Sequence, residues 1–293
     1  MKLERLLRSR AGTVPVWIAG LCGGLTLGLM VTVGVIPAAS ASHHVTPPAA
    51  GCSVKVARLA TGYGSPDDLL MYRGHILFDD IQAGVVASIT KGRTFTLVRN
   101  LSTPEGMVSP SKGRLIVVEQ GSNRLESVDL LKHQRHVLLP LKNDTRQEGV
   151  DGISLIHGDV IIPDSPYGTI LRLHKQHLSQ IAWGLSRPTD VVAFGGGLAV
   201  ADENAGAIWL LKHGHRRRLA SLPTPDDVVV AGGRLLAVTL GDGSLWEIKP
   251  KLRRLTNRFS QPQGLVTVGS RVVAVADSRQ NAIYRVTLSR SCR

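Results

Sequence analysis

A short motif recurs six times between residues 66 and 265, and this repetition limits the possible folds more than any other feature of the sequence. Each copy has an acidic or polar residue at its second position and an apolar residue at its fourth. The copies are Pro66-Asp67-Asp68-Leu69, Pro104-Glu105-Gly106-Met107, Val150-Asp151-Gly152-Ile153, Pro188-Thr189-Asp190-Val191, Pro225-Asp226-Asp227-Val228 and Pro262-Gln263-Gly264-Leu265. They follow one another at steps of 38, 46, 38, 37 and 37 residues, and the long step contains an insertion around 143–147. A period of this length predicts a row or ring of small repeated units.

Each copy continues with the same order of short strands and turns. Twelve or thirteen residues after the third motif position, an apolar strand ends at a polar residue, and a tight turn rich in Gly, Asn and Ser leads to a third strand. A basic turn then leads to a fourth short strand. The polar residues are Asp80, Glu119, Asp164, Asp202, Thr239 and Asp277. Four short strands in roughly forty residues are typical of one propeller blade, so we predict an all-β, six-bladed β-propeller over residues 53–293.

The two ends of the repeat region indicate how the ring closes. The sixth copy has only three strands, whereas a spare strand, 53–59, precedes the first copy. We predict that 53–59 is the outer strand of the sixth blade, antiparallel to 282–288. This pairing would bring Cys52 close to Cys292. An exported protein permits a disulfide at that point, and the alternative is two unpaired thiols.

The N-terminal segment decides the predicted compartment. Residues 14–36 are apolar and uncharged, which is long enough for a bilayer core of roughly 20 residues. Four basic side chains precede this run, so the positive-inside rule predicts that the rest of the chain is exported. We therefore interpret 1–41 as one N-terminal transmembrane or signal helix. It is either a signal peptide cleaved near Ala39-Ser40-Ala41 or a retained membrane anchor. Residues 42–52 are predicted to be a linker.

Basic residues are predicted to collect on one face of the propeller. The formal net charge is +13, and in a propeller the turns between third and fourth strands share a face. The basic residues in and beside these turns are Lys91, Arg93, Lys132, Arg135, Lys175, Lys212, Arg216, Arg217, Arg218, Lys249, Lys251, Arg253 and Arg254. We predict an anionic lipid or another envelope polyanion as their partner, the alternative being ordinary solvated turns. Nucleic acid is not expected, because the chain is exported and only 4% aromatic.

Acidic residues are predicted to collect on the opposite face. The residues that open the innermost strands should surround one mouth of the central channel: Asp67, Glu105, Asp151, Thr189, Asp226 and Gln263. Carboxylates held close together repel, and a bound cation relieves that repulsion. Oxygen ligands favour Ca²⁺ over Zn²⁺. The alternative is that these acids cap strand starts and bond to adjacent blades. The second ring, from Asp80 to Asp277, fits ordinary turn chemistry.

Three turn segments carry a resemblance to a known family. Ala276-Asp277-Ser278-Arg279-Gln280-Asn281-Ala282-Ile283 resembles the core of an NHL repeat, residues 201–208 are similar, and residues 118–125 are a looser copy. NHL-like and gluconolactonase-like propellers have six blades. The resemblance to gluconolactonase-like propellers implies a divalent metal at the starts of the inner strands, with Glu105 and Asp151 at two of them. In such a site the metal would polarise a lactone carbonyl and a carboxylate would activate water.

Two functions follow from these patterns. The first is an exported binding or scaffolding module at the cell envelope, with an unknown protein or small-molecule ligand on the acidic face. The alternative is a Ca²⁺-dependent hydrolase of the lactonase type, with Asp67, Glu105, Asp151, Asp226 and Gln263 as candidate metal ligands. The sequence has no Gly-x-Ser-x-Gly, His-Glu-x-x-His, phosphate-binding Gly-rich loop or Cys-x-x-Cys motif.

Overall fold

Six four-stranded antiparallel sheets make up the described part of the chain, residues 54–142 and 148–289 of a computed structural model. Blade one consists of β2 (Pro66–Tyr72), β3 (His75–Asp80), β4 (Val85–Thr90) and β5 (Arg93–Val98). Blade two consists of β6 (Pro104–Ser111), β7 (Arg114–Glu119), β8 (Arg124–Asp129) and β9 (Gln134–Pro140). Blade three consists of β10 (Ser154–Ile156), β11 (Asp159–Asp164), β12 (Thr169–His174) and β13 (His177–Ala182). Short 3-10 turns, Gln120–Ser122 and Ser165–Tyr167, follow the second strands of blades two and three.

The remaining blades repeat this order. Blade four consists of β14 (Pro188–Phe194), β15 (Gly197–Asp202), β16 (Ala207–Lys212) and β17 (His215–Ser221). Blade five consists of β18 (Pro225–Ala231), β19 (Arg234–Thr239), β20 (Ser244–Lys249) and β21 (Arg253–Thr256). Blade six consists of β22 (Pro262–Gly269), β23 (Val272–Asp277) and β24 (Ala282–Leu288) together with β1 (Val54–Thr61). The first strands of neighbouring blades contact one another around the centre. The predicted all-β, six-bladed propeller is therefore confirmed.

The ring closes in blade six, whose strand order is β1-β24-β23-β22. β1 is antiparallel to β24, with Val54 opposite Leu288 and Thr61 opposite Ala282. The fourth strand of the last blade thus comes from the beginning of the repeat region, which is the arrangement that the missing strand predicted.

Apolar side chains fill the space between adjacent blades. In one layer, Leu77 and Val86 of blade one pack with Met107 and Leu115 of blade two, and all four are buried. Fully burying a side chain of this kind contributes about 1.5–3 kcal/mol. Because each layer joins two blades, the layers fix the first strands relative to one another, and these strands carry the candidate site.

Blade three departs from the pattern at its inner strand. Asp151 was expected to open that strand, but β10 begins only at Ser154. The preceding backbone bonds to neighbouring blades instead: the Gly152 amide donates to the Thr189 carbonyl (2.9 Å), and the Val150 amide donates to Oδ1 of Asn123 (2.8 Å). These bonds draw the backbone before Ser154 out of the strand ladder.

Several sequence predictions lie outside the described residues. These are the apolar run 14–36 with its signal or anchor, the linker 42–52, the cysteines Cys52 and Cys292, and the insertion at 143–147. Within residues 54–142 and 148–289, no helix is long and apolar enough to cross a membrane.

Candidate functional site

A cavity of about 800 Å³ opens at the face where the first strands begin. Its wall includes Glu105, Glu148, Asp151, Arg187, Glu203, Asp226 and Gln263. A narrower channel below it is lined by Asp67, Asp68, Glu105, Asp151, Thr189, Asp190, Asp226, Asp227 and Gln263. All six residues of the predicted ring therefore meet at the centre of the propeller.

The upper carboxylates differ in how they are satisfied. Nε2 of Gln263 donates to Oδ2 of Asp67 (2.8 Å), and the side-chain Nε2 of Gln120 donates to Oε2 of Glu105. By contrast, the Asp226 carboxylate accepts no hydrogen bond and forms no ion pair with any described residue. Asp226 nevertheless has only 8% of its surface exposed. The mouth therefore contains a nearly buried carboxylate that Arg187 influences only from beyond ion-pair distance.

Arg187 is the main cation of the mouth. Its guanidinium contacts Glu148 (3.1 Å) and Asp151 (2.9 Å), and its Nε also pairs with Glu203. Its side chain is 14% exposed. These three carboxylates hold the pKa of Arg187 above its usual value although burial opposes this. Sequence reasoning missed this residue, and its only signal was a basic side chain just before the motif of the fourth copy.

A lower layer of three aspartates joins neighbouring blades. Asp68 accepts the Met107 amide (3.3 Å), Asp190 accepts the Val228 amide (3.1 Å), and Asp227 accepts an amide of blade six in the same way. Each carboxylate thus bonds to the inner strand of the next blade. The alternative interpretation, that acids at the strand starts bond adjacent blades, applies to this layer.

Glycine occupies the same position in the other three blades. At Gly264, an added Cβ would lie 2.0 Å from the carbonyl oxygen of Asp67, and at Gly152 it would lie 2.9 Å from that of Thr189. Only a residue without Cβ permits this close approach of neighbouring inner strands. The restriction of the third motif position to Asp or Gly therefore has a structural cause.

The central carboxyls hold protons more tightly than ordinary carboxyls. Burial, followed by repulsion from neighbouring carboxylates, raises the pKa of Asp67, Glu105 and Asp226 well above the usual value. Burial also raises the pKa of Asp151 to about 7, although Arg187 opposes the rise. A group of this kind loses the cost of its buried charge when it holds a proton or lies beside a cation.

Most acids of the second ring accept backbone amides. Asp164 does not, and its Oδ1 is buried without a hydrogen-bond partner in the described residues. Asp80 accepts the backbone amides of Tyr63 (2.8 Å), Gly64 (3.0 Å) and Ser65 (3.0 Å). Asp277 does the same for Ser260 (2.7 Å) in blade six. Each such carboxylate fixes the loop that enters its own blade, as expected for turn chemistry.

The described residues do not form a three-ligand metal centre. In residues 54–142 and 148–289, no group of three or more His, Cys, Asp or Glu side chains is arranged to hold a metal ion. Of the predicted ligands, Asp67, Glu105 and Asp151 already accept bonds from Gln263, Gln120 and Arg187. Arg187 thus supplies positive charge at Asp151, one of the predicted ligands.

The predicted basic residues lie in two kinds of position. Those at the ends of third strands or in the following turns are Lys91, Lys132, Lys175, Lys212, Lys249 and Lys251; those in fourth strands are Arg93, Arg135, Arg216, Arg217, Arg218, Arg253 and Arg254. Nε of Arg253 contacts Glu247 at 2.5 Å, and Arg135 lies 3.5 Å from Glu126. Part of the basic set is therefore paired within its own blade.

Comparison with known proteins identifies the fold class and no closer relationship. No protein-family model matches the sequence, and no curated protein matches it at a significant level. Among solved structures it is similar to a gluconolactonase from Xanthomonas campestris, with TM-score 0.67 and 15% identity over 80% of this chain and 90% of that one. It is also similar to virginiamycin B lyase from Staphylococcus aureus, with TM-score 0.63 and 13% identity over 81% of this chain and 100% of that one. A third similar structure is the PQQ-bound aldose sugar dehydrogenase from Streptomyces coelicolor, with TM-score 0.69 and 13% identity over 83% of this chain and 100% of that one. The resemblance to gluconolactonase-like propellers is confirmed for the fold.

Proposed function

We propose that this protein is an exported binding module of the cell envelope whose acidic mouth holds a small cationic solute. The observation that carries the proposal is the mouth cavity of about 800 Å³, a size typical of ligand sites. Its wall carries five carboxyl groups against two guanidinium groups: Glu105, Glu148, Asp151, Glu203 and Asp226 against Arg187 and Arg279. Export is proposed from the apolar run 14–36 and the basic residues before it.

Asp226 gives the cation its point of attachment. A nearly buried carboxylate without a hydrogen-bond partner is costly. Burial and the neighbouring carboxylates raise the pKa of Asp226 well above its usual value, which favours the protonated form. A bound cation would displace this proton and restore the charge. Cation binding is therefore expected to release protons and to strengthen as the pH rises.

The test uses the full chain in a neutral detergent. Calorimetric titration with spermidine, and separately with Ca²⁺, is expected to give saturable binding by at least one of them with proton release. Asp226→Asn removes the charge and keeps the shape, so it is expected to weaken binding about tenfold or more. Asp129→Asn, at the half-buried end of β8 and outside the mouth, is the matched control and is expected to bind as the parent does.

Two outcomes would refute the proposed binding site. The first is that neither cation binds at millimolar concentration. The second is that the parent and Asp226→Asn bind a cation equally well. The Ca²⁺ arm also tests calcium as a cofactor, which stays a proposal for this mouth.

A lactonase-type hydrolase is the second candidate, and the pKa of Asp151 favours it. A carboxyl with a pKa of about 7 at a ligand-sized mouth is suited to act as a general base. Similarity of fold to a gluconolactonase suggests lactones as the substrate class. Lactone hydrolysis by the parent that is lost in a folded Asp151→Asn variant would establish catalysis and overturn a purely binding function.

A further inference from the structure

A second groove, of about 390 Å³, lies between the outer strands of blades three and four. Blade three contributes the end of β13 and the link after it, and blade four contributes the β16–β17 hairpin. Its apolar wall is formed by Ile181, Trp183, Leu198 and Leu211. Its polar wall is formed by Lys212, His213, His215 and Arg216. The groove thus joins an apolar surface to a cationic one, away from the acidic mouth.

The apolar wall includes a large exposed side chain. Trp183 is 73% exposed and Ile181 is 39% exposed. An exposed tryptophan beside other apolar side chains is typical of an interaction surface. Tryptophan is also the residue type enriched where proteins meet the headgroup region of a bilayer.

The cationic wall carries charge that the protein does not balance. Within the described residues, no Asp or Glu lies within ion-pair distance of Lys212, Arg216, Arg217 or Arg218. The guanidinium groups of Arg216 and Arg218 instead lie 4.5 and 4.6 Å from the ring centre of Trp209. Arg216 also donates to the Gly184 carbonyl beside Trp183. These contacts hold the charges in place and leave them available to an anion.

We propose that this groove docks the headgroup of an anionic phospholipid. Lys212 and Arg216 would bind the headgroup phosphate, and Trp183 and Ile181 would contact the glycerol and the first methylene groups. A free phosphate would use only the cationic wall, whereas a phospholipid uses both walls. The groove is separate from the mouth, so this site does not depend on the proposed solute binding.

The test follows the fluorescence of Trp183 in the full chain, held in a neutral sugar detergent. The chain has 4 tryptophans, so the signal of Trp183 is taken as the difference between the parent and Trp183→Phe. The probes are dihexanoyl-phosphatidylglycerol, dihexanoyl-phosphatidylcholine, inorganic phosphate and a single-stranded oligonucleotide. Phosphatidylglycerol is expected to give a saturable shift to shorter wavelength, and the other three probes are expected to give none.

Two charge reversals locate the site. Lys212→Glu changes an exposed residue of the groove and is expected to weaken phosphatidylglycerol binding about tenfold or more, since each basic residue contributes roughly a fivefold factor near an anionic lipid. Lys251→Glu changes an exposed residue in the corresponding turn of blade five and is expected to alter binding by less than about twofold.

Each contrary result overturns the proposal. The absence of a saturable shift, or an equal response to phosphatidylcholine, excludes an anionic-lipid site. An equal response to phosphate alone identifies a free-anion site, and a response to the oligonucleotide identifies a nucleic-acid surface. Equal weakening by Lys212→Glu and Lys251→Glu assigns the binding to the general charge of the protein instead of the groove.

Discussion

Replacing Arg187 with methionine tests the charge balance of the mouth. Glu203 and Asp151 have side chains that are 18% and 15% exposed, so Arg187→Met leaves two largely buried carboxylates without their cation. Glu148 is 72% exposed and contributes little. Breaking a buried ion pair costs about 3–5 kcal/mol. Because the mouth is open to solvent, we expect the lower end, roughly 3 kcal/mol at pH 8.

The pH dependence of this loss gives the sharper result. Arg187 lowers the pKa of Asp151, so without it that pKa rises further above about 7. The folded variant then binds a proton at Asp151 at a higher pH than the parent does, and its stability falls more steeply as the pH rises. At pH 5 the carboxyl is neutral in both proteins, and we expect the loss to shrink to roughly 1–2 kcal/mol.

Urea unfolding of the full chain, followed by tryptophan fluorescence at pH 5 and pH 8, measures both quantities. Arg172→Met is the matched control, because Arg172 pairs with Asp159 but is 45% exposed, and His174 still contacts Asp159. The control is expected to lose about 1 kcal/mol or less at both pH values. If Arg187→Met loses no more than the control at pH 8, or loses the same amount at both pH values, the argument for a buried ion-pair network is refuted.

Three further predictions follow from the same contacts. Because Asp68 and Asp151 have pKa values raised to about 7, the folded protein takes up protons that the unfolded chain does not, so the unfolding free energy of the parent should be larger at pH 5 than at pH 8. Asp80→Ala removes an acceptor of several backbone amides and should cost roughly 2–4 kcal/mol in urea unfolding at pH 7, with Asp80→Asn losing less. Gly264→Ala places Cβ against the Asp67 carbonyl and should lower the melting temperature more than Gly269→Ala, whose added Cβ meets nothing within 4 Å at a glycine without a positive φ.

The sequence was sufficient to predict the ring and its closure. The number of blades follows from the number of motif copies, and the origin of the last strand follows from counting strands at the two ends of the repeat. Both patterns can be recognised in the sequence because each blade needs the same hydrophobic layers and the same turns. The ring of acids at the mouth follows from the same register, since Asp67 and Glu105 occupy corresponding positions.

The features that the sequence did not predict depend on contacts between different blades. Arg187 reaches Asp151 and Glu203 only because the link before blade four passes over the mouth, and the link has no repeated pattern. The late start of β10 results from bonds to blades two and four, which no local preference records. The groove joins Trp183 of one blade to Lys212 of the next, far apart in sequence.

The pairing of β1 with β24 has a consequence for how the chain is made. Synthesis proceeds from the N-terminus, so β1 emerges first and waits without its partner until the last strand has been produced. Until then blade six lacks both of its outer strands, and the open edge of β23 can pair with another chain. Contacts between such distant segments form late in folding. A chain that lacks β24 therefore loses two strands of blade six instead of one, because β1 then has no partner.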